Sequence, residues 1–173
     1  MTTPTQTGTT TQVYRVYIKA TPQAIWDAIT RPEWTERYGY GGRAEYDLRP
    51  GGAYRTLATE QIVAEGAAMG YTVPDVMVDG EVVESDPPRR LVQTWRMVMD
   101  PTTAEEGFTR LTYEIEASDR GVSRLTVTHE LDHAPNLAEM VRGAREAEGA
   151  GGGWAWVLSD LKTLLETGKP FTG

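Results

Sequence analysis

Three stretches late in the chain alternate apolar and polar residues with a period of two. Leu91, Gln93, Trp95, Met97 and Met99 share one parity, Leu111, Tyr113 and Ile115 the next, and Leu125, Val127, His129 and Leu131 the third. Between them stand Thr112, Glu114, Glu116, Thr126, Thr128 and Glu130. Successive strand side chains point to opposite faces, so this pattern predicts antiparallel strands wet on one side and covered on the other. The cover comes last in the chain. Trp154, Val157, Leu158, Leu161, Leu164 and Leu165 recur at helical spacing, and Gly168 and Pro170 then stop the helix. A sheet with one apolar face and one long striped helix satisfy each other when the sheet curls around the helix. The ends of that wrap leave room for a pocket.

The rest of the chain fits around this unit. Gln12–Lys19 is rich in β-branched and aromatic residues and reads as a strand. Thr21 is the expected N-cap of a short helix, with Pro22 at its first position. A second short helix is expected over Arg31–Arg37, because Pro32 cannot continue the first. Arg43–Leu48 and Ala53–Thr59 read as strands on either side of the turn Arg49-Pro50-Gly51-Gly52, and Val76–Glu84 as another. Glu60–Tyr71 is Ala-rich with weak helical spacing and is expected to be an insertion or lid. Asn136–Glu148 is expected to be a helix capped by Asn136. Helices segregated from a run of strands define an α+β class, not a parallel doubly wound sheet. Residues 1–11 are expected to be a disordered tail and 12–170 one domain.

Composition removes several function classes. With no cysteine there is no disulfide, thiolate metal site or cysteine nucleophile. The net charge of −8 repels phosphate backbones and anionic lipid, so no nucleic-acid partner is expected. No apolar run approaches the roughly 20 residues of a membrane span, so no membrane insertion is expected. The first residues have no apolar core or basic flank of a secretory leader, so the expected location is the cytoplasm.

Among candidate site residues, His129 stands out, since it alternates onto the apolar face between Val127 and Leu131. It is either a proton-transfer group inside the pocket or a core histidine satisfied by its neighbours. Tyr113 is the other candidate for proton transfer. His129 and His133 are four apart, but along a strand this separates the rings by about 13 Å, so no metal site is expected. Trp34, Tyr38 and Tyr54 are expected near the pocket, with Tyr40 beside its mouth. Trp95, Met97, Tyr113, His129 and Leu131 are expected on its sheet wall, with Trp154 and Leu158 opposite. Gly149–Gly153 lacks the lysine of a phosphate loop; its small residues are expected to let the long helix approach the sheet. Trp156 lies about 200° from Trp154 on the helix. It is expected under the 60–71 segment, with a contact to a second copy of the chain, a homodimer, as the alternative. No cofactor motif is present.

Several segments in order resemble the START-like SRPBCC superfamily. They are Ala20-Thr21-Pro22 through Ala28, Leu48–Gly52, Asp79–Val82, Asp86–Val92 with Thr94-Trp95, Thr126–Glu130, and Gly152-Gly153-Trp154 leading into Leu158–Gly168. Within it the chain is most similar to the bacterial branch related to the C-terminal domain of the activator of the heat-shock chaperone ATPase. The resemblance implies the helix-grip fold, also that of the birch-pollen allergen. Relatives include lipid and hormone binders, polyketide cyclases and aromatases, and chaperone activators, so it does not choose one activity. The leading expectation is a small hydrophobic or aromatic ligand held between sheet and terminal helix. A cyclase or aromatase using His129 and Tyr113, and a chaperone-ATPase activator, are the alternatives. Residues 60–75 exceed the short hairpin the family pattern has there.

Overall fold

The computed structural model describes residues 10–173. Residues 1–9 of the expected tail lie outside the described residues. Thr10 already takes part in the fold, its carbonyl accepting the Leu131 N–H at 2.7 Å.

Seven strands form one antiparallel sheet: β1 (Thr11–Ile18), β2 (Arg43–Tyr46), β3 (Ala53–Leu57), β4 (Val76–Asp86), β5 (Arg90–Met97), β6 (Thr109–Ala117) and β7 (Ser123–Glu130), in the order β1-β7-β6-β5-β4-β3-β2. Among the described residues six α-helices accompany them: α1 (Pro22–Thr30), α2 (Pro32–Thr35), α3 (Glu60–Ala68), α4 (Pro101–Glu105), α5 (Pro135–Val141) and α6 (Gly153–Thr167). The sheet curves around α6 in the α+β helix-grip arrangement.

The alternation holds on β5, β6 and β7, except that Val92 and Thr112 of the outer face are also buried. Leu91, Leu111, Ile115, Leu125, Val127 and His129 are buried. On the other face, directly opposed partners pair across the strands: Arg90 with Glu114 at 3.5 Å, Arg110 with Glu130 at 3.6 Å, and Arg124 with Glu116. These exposed pairs favour the register more than the stability. Trp154, Leu158, Leu161 and Leu164 are buried on α6, with Val157 and Leu165 packed beside them.

Local chemistry sets the helix ends. Thr21 Oγ1 accepts the Ala24 N–H at 3.1 Å, as an N-cap does. Gly168 closes α6 in the left-handed region, at φ 84°.

Four expectations are corrected here. β5 ends at Met97, so Met99 is not a strand residue and is exposed. Asp100-Pro101, an N-cap followed by a first-turn proline, instead starts α4. α5 begins at Pro135 and ends at Val141, and Asn136 does not cap it. The Glu106 carboxylate, thirty residues upstream, accepts the Asn136 and Leu137 N–H groups, each at 2.9 Å. Finally, the Gly149–Gly153 joint lets α6 approach α5, not the sheet: a Cβ on Gly153 would overlap the Val141 carbonyl.

Candidate functional site

A cavity of about 710 Å³ lies between the sheet and α6. Its sheet wall is made by inward positions: Tyr46 and Tyr54 of β2 and β3, Trp95 and Met97 of β5, and Tyr113 of β6. Tyr46 and Tyr54 are register partners, and their rings stack at 4.5 Å. The facing wall is α6, with Trp154, Val157, Leu158 and Leu161. Trp154 meets Tyr113 edge-on, their centroids 6.2 Å apart. Exposed Tyr40, Tyr71 and Met99 also line the space, so it reaches solvent between the 38–42 loop, α3, the end of β5 and the Gly149–Gly151 joint. The 60–71 segment therefore borders the mouth. Ile62 and Glu65 of α3 contribute to the lining.

Most polar groups in these walls are already paired. The Tyr38 hydroxyl donates to the Ala28 carbonyl at 2.9 Å, and that of Tyr46 to Gln93 Oε1 at 2.7 Å. Tyr54 and Thr56 share a hydrogen bond of 2.8 Å, and the Tyr40 hydroxyl accepts the Gly153 N–H at 3.0 Å. Burial pushes the Tyr46 and Tyr113 hydroxyls well above the ordinary tyrosine value, with nearby tyrosines adding to the effect. Both remain protonated donors. Among the described residues Ser85 Oγ and Gln93 Nε2 are buried without a partner, and neither residue lines the cavity. A buried unpartnered donor costs about 1–3 kcal/mol, so such groups call for an explanation.

Of the residues expected at the pocket, Tyr38, Tyr54, Trp95, Met97, Tyr113, Trp154 and Leu158 come together around this cavity. Three do not line it. Trp34 sits on α2, with the Arg37 guanidinium 4.8 Å from its ring centre. Leu131 is sealed in the core just past β7. His129 lies behind the wall that Trp95 and Trp154 form, its ring 5.4 Å and 6.0 Å from theirs.

The bonding of His129 supports the core-histidine reading. The Trp154 indole N–H can only donate, and it points at Nδ1 at 3.2 Å. The proton therefore sits on Nε2, which donates to Thr109 Oγ1 at 2.8 Å. Thr109 passes its own proton to the Trp95 carbonyl at 2.8 Å. Every donor and acceptor of the ring is used. Burial lowers the His129 pKa to about 3. The unfolded ring titrates near 6.5, so between about pH 3 and 6.5 only the unfolded chain takes the proton. Stability from this group is complete above that window and falls as pH drops through it. From pH 7.5 to pH 5 the loss is expected to be about 2 kcal/mol. Urea denaturation at the two pH values, comparing the wild type with His129→Gln, checks this. An equal loss in both would remove the argument.

Trp156 is also placed differently from expectation. Its ring is met edge-on by Phe171, with centroids 4.8 Å apart, in the C-terminal segment and not in the 60–71 segment. That segment is held by Asp160, which the sequence reading passed over. Asp160 is completely buried. Its carboxylate accepts the Gly39 N–H at 2.8 Å, the Phe171 N–H at 2.7 Å and the Thr172 hydroxyl at 2.7 Å. It thus ties the mouth loop, α6 and the chain end together. No group of three or more potential metal ligands occurs among the described residues, and no described helix is long and apolar enough to cross a membrane.

A curved seven-stranded sheet gripping one long helix around an apolar cavity defines a START-like domain of the SRPBCC class. The chain belongs to the activator of Hsp90 ATPase homolog 1-like protein family, whose profile matches residues 19–166. Solved structures share the fold at low identity. An HSP90 activator from Plasmodium falciparum is 18% identical, with a TM-score of 0.61 over 91% of this chain and 96% of that one. The Aha1 protein of Colwellia psychrerythraea, described as a dimer, is 16% identical, with a TM-score of 0.58 over 92% and 98%. DynU16, a putative protein in the dynemicin biosynthetic locus, is 20% identical, with a TM-score of 0.57 over 92% of this chain and 48% of its own. No curated protein matches the sequence.

Proposed function

We propose that the chain binds one small apolar or aromatic molecule in the cavity between the sheet and α6. The observation that carries this reading is a space of about 710 Å³, walled by tyrosine, tryptophan, methionine and leucine and reaching solvent at one end. Ligand sites are typically about 300–1,000 Å³ and largely apolar, with a few directional groups. Protein interiors pack at near-crystalline density, so an apolar space of this size calls for an occupant.

Titration with N-phenylnaphthylamine, an uncharged probe that brightens in apolar surroundings, tests the reading. Saturable one-to-one binding is expected. Ligand at a hundredfold excess over its Kd should raise stability by about 2.7 kcal/mol. Leu158→Trp puts an indole into the cavity and should weaken binding about tenfold or more. Probe binding that is absent, or unchanged by Leu158→Trp, would end the proposal. Sedimentation under the same conditions reads out a homodimer, the state described for the Colwellia protein.

Catalysis of the cyclase kind receives less support. It needs a proton-transfer group facing the substrate. His129 faces Trp154 and Thr109, and Tyr113 holds its proton tightly. Family membership favours one second reading, stimulation of an Hsp90-type ATPase. An ATPase assay at equimolar added protein tests it, and an unchanged rate argues against it.

A further inference from the structure

The lining of the cavity is one-sided in charge. Among the described residues its charged groups are Glu65 and Asp100, with no lysine, arginine or histidine beside them. Both stand at the solvent end. Glu65 is on exposed α3, ahead of exposed Tyr71, and Asp100 follows exposed Met99 just past β5. Glu65 accepts from Gln61 Nε2 at 2.9 Å and Asp100 from the Thr102 N–H at 2.8 Å, and both partners are neutral. Arg145 senses the Asp100 charge, but its guanidinium is committed to Glu139 at 2.7 Å and to Asn136 at 3.0 Å. A third carboxylate is close to the mouth: burial raises the Tyr40 hydroxyl pKa, and the Glu146 charge adds to it.

Independently, the walls are aromatic. Tyr54, Trp95, Tyr113 and Trp154 line the interior, and exposed Tyr40 and Tyr71 line the mouth. The face of an aromatic ring carries negative potential, so it attracts cations and repels anions. A small ammonium ion carried to the deep end would lose its water without a counter-charge. An ammonium group left at the mouth keeps part of that water, while the apolar body behind it fills the space. An anion meets the reverse of every term: no cation, carboxylates at the entrance, ring faces around it, and a chain of net charge −8.

We propose that the cavity takes a cationic amphiphile, with an apolar or aromatic body inside and a tertiary or quaternary ammonium group at the mouth beside Glu65 and Asp100. This rests on the cavity being a binding site and adds the charge of its ligand. Carboxylates, sulfonates and phosphates of the same size are discriminated against.

Three naphthalenes of one skeleton test it by displacing bound N-phenylnaphthylamine: naphthylmethyl-trimethylammonium, naphthalenemethanol and naphthaleneacetate. The salt is kept near 0.01 M, where screening reaches only over about 30 Å. The ammonium compound should displace the probe at about fivefold lower concentration than the alcohol, and at least about thirtyfold lower than the carboxylate. The double variant Glu65→Gln/Asp100→Asn removes both charges, and asparagine keeps an acceptor oxygen for the Thr102 N–H. Its ammonium-to-alcohol preference should fall about threefold, with a urea midpoint showing that it is folded. An ammonium compound no tighter than the alcohol, a carboxylate as tight as either, or a preference unmoved in the folded double variant overturns the charge assignment and leaves the cavity reading intact. Failure of N-phenylnaphthylamine to bind the wild type overturns the cavity reading itself.

Discussion

Asp160→Ala is expected to lower the unfolding free energy by about 3 kcal/mol, because it strands three donors at once. The Gly39 and Phe171 N–H groups and the Thr172 hydroxyl all end on this one carboxylate. Alanine accepts none of them. Water reaches the chain end more readily than the Gly39 amide, which lies in the loop at the cavity mouth, so the whole sum of three bonds is not lost. Asp160→Asn keeps one acceptor oxygen and should recover roughly half of the stability. The alanine variant should also bind N-phenylnaphthylamine more weakly, since the 38–42 loop loses its tie to α6. Urea denaturation of both variants measures the first effect, and a loss below about 1 kcal/mol for alanine would show that the carboxylate is not a structural tie.

Gly153→Ala should cost about as much for a different reason. Gly153 begins α6 with φ at 69°, a conformation that side chains rarely adopt, and the added methyl would run into the Val141 carbonyl and the Gly143 amide. Backbone does not yield as a side-chain end does, so α6 or α5 must move. A loss of about 3 kcal/mol is expected from strain and clash together. Gly149 separates the two contributions. Its φ is 88°, but a Cβ there meets nothing within 4 Å. Gly149→Ala should therefore cost only the left-handed penalty, about 1 kcal/mol. Equal urea midpoints for the two variants would contradict the clash.

The alternation of Leu91 to Met97 and of Leu111 to Ile115 was readable because strand side chains obey a period of two whatever lies elsewhere. The stripe from Trp154 to Leu165 was readable for the same kind of reason, at a period of 3.6. Both periods describe a face, and a face is not yet a site. Trp95 and His129 share the inward face, yet only Trp95 touches the cavity. Which inward residues border open space depends on how Trp154 seats against β7, and no spacing within either segment contains that. Tyr46 was missed as a lining residue although Ala44 and Tyr46 alternate correctly on a short strand. Asp100-Pro101 was a legible helix start that Met99, carried along by the alternation, obscured.

Asp160 and Glu106 mark the boundary most clearly. Each is an acidic residue in a helix or at its end, which local reasoning assigns to solvent. Asp160 is buried because residues 171 and 172 fold back over it, and Glu106 caps a helix thirty residues further on. Periodicity was enough for the sheet, its wet and dry faces, the gripping helix and the class of fold, since each follows from repeats within ten or fifteen consecutive residues. The cavity's outline, the tautomer of His129, the hydrogen bond from Tyr46 to Gln93 and the tie at Asp160 arise from groups far apart in the chain meeting in space. Hydrogen bonds and voids belong to that meeting, so they exist only once the packing does.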